Sequence, residues 1–194
     1  MGQRLVVTIK AFDETIANIY YHWSAYTLSG LLEIKDLLES VDFDAAISKK
    51  DLLFRIIRYC EENGGGLSGL RDFDAAKKIF PNISFRTDAD RNYGLVAITE
   101  DTMNESQNWS EGDALIDFDE DMIEYGVYLA YDSVEDFNAE LLDMEMEPIT
   151  LNELPKINVN PGRFCFEDIY SVLEGIEDAG GYFRYGDQVY QVFK

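Results

Sequence analysis

Between Arg91 and Lys156 the chain runs for 64 residues without a Lys or Arg, and this stretch carries 18 carboxylates. A segment of that charge folds only if enough apolar side chains are interleaved with it. They are present: Trp109, Leu115, Ile116, Phe118, Ile123, Tyr125, Tyr128, Leu129, Phe137, Leu141 and Leu142 all fall inside it. The stretch is therefore not an acidic tail. Its carboxylates are expected to be displayed on a folded scaffold, which gives up stability to self-repulsion.

The asymmetry holds for the whole chain. Residues 1–97 contain 12 basic and 14 acidic side chains, whereas residues 98–194 contain 4 and 24, for a total of −22. Phosphate would be repelled, which argues against direct binding of DNA, RNA or an anionic membrane. With 194 residues, 46% of them hydrophobic, the chain can bury a core as one domain, or as one domain with an appendage. No apolar run approaches the ~20 residues of a membrane span. The first ten residues lack a signal-peptide core. Cys60 and Cys165 each sit among apolar neighbours in a helical pattern and read as buried thiols. These features point to a cytoplasmic protein.

Residues 4–10 (RLVVTIK) and 16–23 (IANIYYHW) read as strands joined in a hairpin. Residues 29–41 have helical spacing. Ser48 with Asp51 forms a capping-box arrangement that opens a helix, and Asn63-Gly64-Gly65-Gly66 closes it. Residues 72–80 form a short helix stopped by Pro81. Strands are expected at 95–99, 114–118 and 123–131, the last two joined by a tight acidic turn. Ser133 with Asp136 caps a further helix.

Pro148, Pro155 and Pro161 mark residues 148–162 as a linker between a main domain, 1–147, and a helix–hairpin element, 163–194. In that element 166–179 is helical, and Gly186-Asp187 turns a hairpin. The fold class is α+β: mainly antiparallel sheet, packed helices, and a C-terminal helix plus β-hairpin.

Nucleophilic catalysis has little support. His22 is the only histidine, and nothing in the sequence orients it towards Ser24. Glu33-Ile34-Lys35 has the letters of a metallonuclease pair, but on a helix its two charged side chains diverge. Asp88, Asp90 and Asn92 resemble the start of a calcium loop, with glycine at position 7 and Arg91 inside; an Asp/Asn-rich turn is the preferred reading. Asp117, Asp119 and Asp121 would share one face if the strand continued through them, as a Mg²⁺ or Ca²⁺ site or as a solvated hairpin edge. The 64–69 run (GGGLSG) follows a helix and lacks the lysine of a phosphate loop.

The opening MGQRL, followed by Ala17-Asn18-Ile19-Tyr20-Tyr21-His22-Trp23-Ser24-Ala25-Tyr26-Thr27, resembles the start of uncharacterised proteins from Gram-positive bacteria and their phages. The resemblance covers about the first thirty residues and implies a mobile-element origin. Some acidic phage proteins of this size inhibit host defence nucleases by imitating DNA, and the charge together with this context, not the resemblance itself, suggests an anti-CRISPR or other anti-defence inhibitor.

Two functions follow. The first is a DNA mimic that occupies the basic groove of a nuclease or other DNA-binding complex, such as an RNA-guided nuclease. Its partner-binding residues would be Glu111, Asp113, Asp117, Asp119, Glu120, Asp121, Glu124, Asp132, Glu135 and Asp136, with Trp109, Tyr125 and Tyr128 as anchors. It would need no cofactor and no catalytic residue. The second is a small metal-dependent enzyme or binding module built on one of the two Asp clusters, or a general acidic interaction protein.

Overall fold

The computed structural model describes residues 4–25, 27–43, 45–86, 88–127, 139, 142, 162–178, 182–185 and 188–191. Nine strands and five α-helices lie within them: β1 (Leu5–Ala11), β2 (Glu14–Tyr21), α1 (Thr27–Ser40), α2 (Lys49–Glu62), β3 (Gly66–Leu67), α3 (Leu70–Ile79), β4 (Leu95–Ala97), α4 (Glu100–Gln107), β5 (Gly112–Asp117), β6 (Met122–Val127), β7 (Gly162–Cys165), α5 (Ile169–Asp178), β8 (Tyr182–Tyr185) and β9 (Gln188–Gln191). The fold is α+β, as the sequence predicts. Seven strands form one sheet in the order β3-β4-β2-β1-β5-β6-β7, and β8-β9 pair separately. The sheet is mixed: β1–β5 and β3–β4 are parallel, and its other pairs are antiparallel.

Strand alternation divides the side chains between two faces. Leu5, Val7 and Ile9 of β1, Ile19 of β2, Ile116 of β5 and Ile123 of β6 face the main core. Ile34 and Leu37 of α1, Ile56 and Ile57 of α2, Ala76 of α3, and Ile169 and Leu173 of α5 close over them. Ser48 caps α2 by accepting from Asp51 N, and Asn63 ends it, as the spacing predicts. Gly30 lets α1 approach β6, because a Cβ there would collide with the Tyr125 hydroxyl and with the Ser24 carbonyl.

Three features depart from the sequence reading. Helix α4 is unanticipated: it presents Thr102 and Ser106 to the protein, not an apolar stripe. Strand β7 is also new, and it places Cys165 on a strand, half-buried, while Cys60 is buried in α2; both thiols are free. Because β7 pairs with β6, and Phe164 and Ile169 join the main core, the residues on either side of the 148–162 segment share one core. That segment lies outside the described residues except for Gly162. So do the helix expected at Ser133, apart from Ala139 and Leu142, and the Gly186-Asp187 turn, although β8 and β9 pair antiparallel as a hairpin would. No helix among the described residues is long and apolar enough to cross a membrane.

Candidate functional site

The second face of the sheet carries the acidic residues. The parallel register sets Val6 beside Asp113, Thr8 beside Leu115 and Lys10 beside Asp117. The next strand adds Glu124 opposite Leu115, and β7 adds Arg163 opposite Glu124. Same-face residues on one strand stand about 7 Å apart. Glu111, Asp113, Asp117 and Glu124 are thus brought onto one surface, as a displayed array requires. Helix α4 covers another part of that face, where Asn18 Nδ2 donates to Met103 O and Ser106 Oγ, both at 3.1 Å.

Most of these carboxylates are not free. Glu111 accepts from Arg4 Nη2 at 2.8 Å and from Arg4 N at 2.9 Å. Burial pushes its pKa up, but the Arg4 hydrogen bonds and charge prevail and hold it below the ordinary 4.5. Asp117, buried, pairs with Lys10 Nζ at 2.7 Å and accepts from Asp119 N. Burial again opposes ionisation, and the Lys10 and backbone hydrogen bonds overcome it, so its pKa is lowered. Glu120 and Glu124 both pair with Arg163. Every one of these cations comes from outside the basic-free segment.

Asp119 has a different task. Phe12 and Asp13 make the two-residue β1–β2 turn with φ of 55° and 57°, and their N–H groups donate to Asp119 Oδ1 and Oδ2 at 2.8 and 2.9 Å. Asp121 is exposed at φ 54° in the β5–β6 turn, beside Phe118 and Phe166. The alignment of Asp117, Asp119 and Asp121 on one face is therefore corrected: the strand ends at Asp117, whose carboxylate turns to Lys10, while that of Asp119 turns to the β1–β2 turn and Asp121 is left exposed. Among the described residues, no group of three or more His, Cys, Asp or Glu is placed to hold a metal ion.

Asp113 is the exception on this surface. Its Oδ1 is buried and has no hydrogen-bond partner. It lines an open cleft of about 580 Å³ with Thr8, Leu115, Glu124, Gly126 and Arg163. Asp132, Glu135, Asp136 and Tyr128 lie outside the described residues. Tyr125 faces the core, and Trp109 is 60% exposed with Arg4 over its ring at 5.7 Å.

The other motifs resolve locally. Asp90 caps the short 3₁₀ turn Arg91–Tyr93 by accepting from Asn92 N at 2.9 Å, and Asp88 faces Arg86, so this loop is the expected turn. Ser24 donates to Glu33, and His22 Nδ1 lies 2.8 Å from the Tyr20 hydroxyl, so the two form no dyad. Lys35 turns to Glu39, away from Glu33. Gly64 N and Gly65 N donate back to α2 carbonyls, and Gly66 begins β3, so the glycine run is a helix exit.

Two features were missed by sequence reasoning. Asp72 is fully buried on α3 and accepts from Ile98 N, Thr99 N and Thr102 Oγ1 at 2.8, 3.1 and 2.7 Å, which holds the N-terminal end of α4. A second cavity, of about 360 Å³, lies between β2, β4 and α4, lined by Arg4, Tyr20, His22, Arg91, Trp109 and their neighbours. Neither has a spacing signal, because each assembles residues far apart in the chain. Compared with protein-family models, with curated proteins and with solved structures, the chain has no match.

Proposed function

We propose that this protein inhibits a basic nucleic-acid-binding protein of the nuclease class by occupying the groove in which that protein holds DNA. The observation that supports this reading is Asp113. A buried carboxylate oxygen without a donor is unfavourable by about 1–3 kcal/mol, and this one lines an open cleft on an acidic face. An Arg or Lys side chain from a partner would supply the missing donor and form a charge-assisted hydrogen bond.

Partner-facing roles narrow accordingly to Asp113, exposed Asp121, and Glu120 and Glu124, whose pairing with Arg163 is solvent-exposed and readily exchanged. Glu111, Asp117 and Asp119 hold the scaffold. The 18 carboxylates of the basic-free segment supply the long-range attraction that speeds encounter.

The test is capture of a nucleic-acid enzyme from a bacterial lysate on the immobilised protein, followed by competition with duplex DNA. The expected result is retention that DNA displaces and that weakens by at least tenfold between 50 and 200 mM salt. The Asp113→Lys/Asp121→Lys variant should lose it. Retention that ignores DNA and salt, or that survives both reversals, would overturn the reading.

A further inference from the structure

We infer that the second cavity is a binding site for a small planar anion of the mononucleotide class, separate from the acidic face. Its volume of about 360 Å³ lies in the range of small-ligand pockets. Its wall is unlike the rest of the molecule. In a chain with 38 carboxylates, Arg91 is the one arginine, among those whose side chains are described, with no carboxylate within ion-pair distance. It lines this cavity.

The one carboxylate in the wall is already paired, and so is the partner of the wall's other arginine. Glu105, also in the wall, pairs with Arg71 at 2.9 Å, and Glu111 pairs with Arg4. The wall therefore holds two arginines against one carboxylate, in a protein that is strongly negative overall. Burial first, then the charges of Arg91 and Arg4, lower the His22 pKa against an opposing pull from Glu111.

The second requirement is a planar surface. Trp109 is 60% exposed at this cavity, with the Arg4 guanidinium above its ring, and Tyr20 and His22 add two further rings. Aromatic faces stack on nucleobases, and arginine adds cation–π attraction. The phosphate would meet Arg91 through charge-assisted hydrogen bonds. The Ser68 hydroxyl, also in the wall, makes no side-chain hydrogen bond and is available to the sugar or phosphate. The backbone holds Arg91 in place: His22 N donates to Arg91 O at 3.2 Å, and Asp90 caps the turn that begins with it.

The experiment uses the Trp23→Phe protein, whose remaining tryptophan is Trp109. Adenosine monophosphate, adenosine and inorganic phosphate are titrated separately, with indole fluorescence and calorimetry as readouts. The nucleotide should quench Trp109 saturably, with a dissociation constant of about 1 mM or tighter. Adenosine and phosphate alone should each bind at least tenfold more weakly. Arg91→Gln, at an exposed position, should weaken the nucleotide about tenfold while leaving the far-UV circular dichroism unchanged. No saturable signal by about 5 mM, an unchanged affinity in Arg91→Gln, or equal binding of phosphate alone would overturn the inference.

Discussion

Asp72 shows what one residue can carry. Its Oδ1 gathers two backbone N–H groups and a hydroxyl at the junction of β4 and α4. Asp72→Ala strands the Ile98 and Thr99 N–H groups, while the Thr102 hydroxyl can still donate to Thr99 O, and should cost about 2–3 kcal/mol in denaturant unfolding. Asp72→Asn, which keeps an acceptor, should cost less. The same scale sets the response to acid. Glu111 and Asp117 have pKa values lowered by the fold. Their stabilisation is present above the ordinary carboxylate pKa values and is lost as pH falls through the lowered ones. His22, whose pKa is also lowered, adds a loss that begins as pH falls below its ordinary 6.5. Unfolding measured from pH 7 to pH 3 should show declining stability, and Glu111→Gln should flatten the lower part of that profile. None of these roles was legible in the sequence. An aspartate that binds a distant N–H looks the same in a string of letters as one that faces solvent.

The main helices and the central strands were legible because their patterns are local. Leu52, Ile56 and Cys60 repeat at helical spacing, and residues 5–9 mix β-branched and apolar residues at strand spacing. Helix α4 was not, because its protein-facing residues are Thr102 and Ser106, which work by hydrogen bonding. The β1–β2 turn is a second case. Phe12 and Asp13 occupy the left-handed region, where Asn-Gly is the favoured pair. The turn persists with poor residues because Asp119 binds both N–H groups. Phe12→Asn should therefore raise stability by about 1 kcal/mol in thermal or denaturant unfolding. Asp119→Ala should lower it by a similar amount, and a neutral Asp119→Ala would mean that the turn does not need its distant cap. Gly30→Ala, which would push α1 against Tyr125 and the Ser24 carbonyl, should cost about 1–3 kcal/mol by the same measurement.

At the scale of the molecule, the concentration of charge in the second half was legible, but its placement was not. The sequence leads one to expect a surface of free carboxylates. The sheet instead borrows Arg4, Lys10 and Arg163 to neutralise several of them, through pairings that only the strand order creates. The net charge still leaves self-repulsion that counter-ions screen. Melting temperature should therefore rise between 20 and 500 mM NaCl, and a fall would mean that the borrowed ion pairs outweigh the repulsion.

The position of β1 has a cost during synthesis. One of its edges pairs with β2, which is made almost at once. The other pairs with β5, and Lys10 lies 107 residues from Asp117. At ~5–20 residues per second, a ribosome holds that LVVTIKA edge open for roughly 5–20 s before its partner exists. For that interval the nascent chain offers a bare apolar β-edge to any neighbouring strand, so its yield in a cell depends on what shields the edge until β5 arrives.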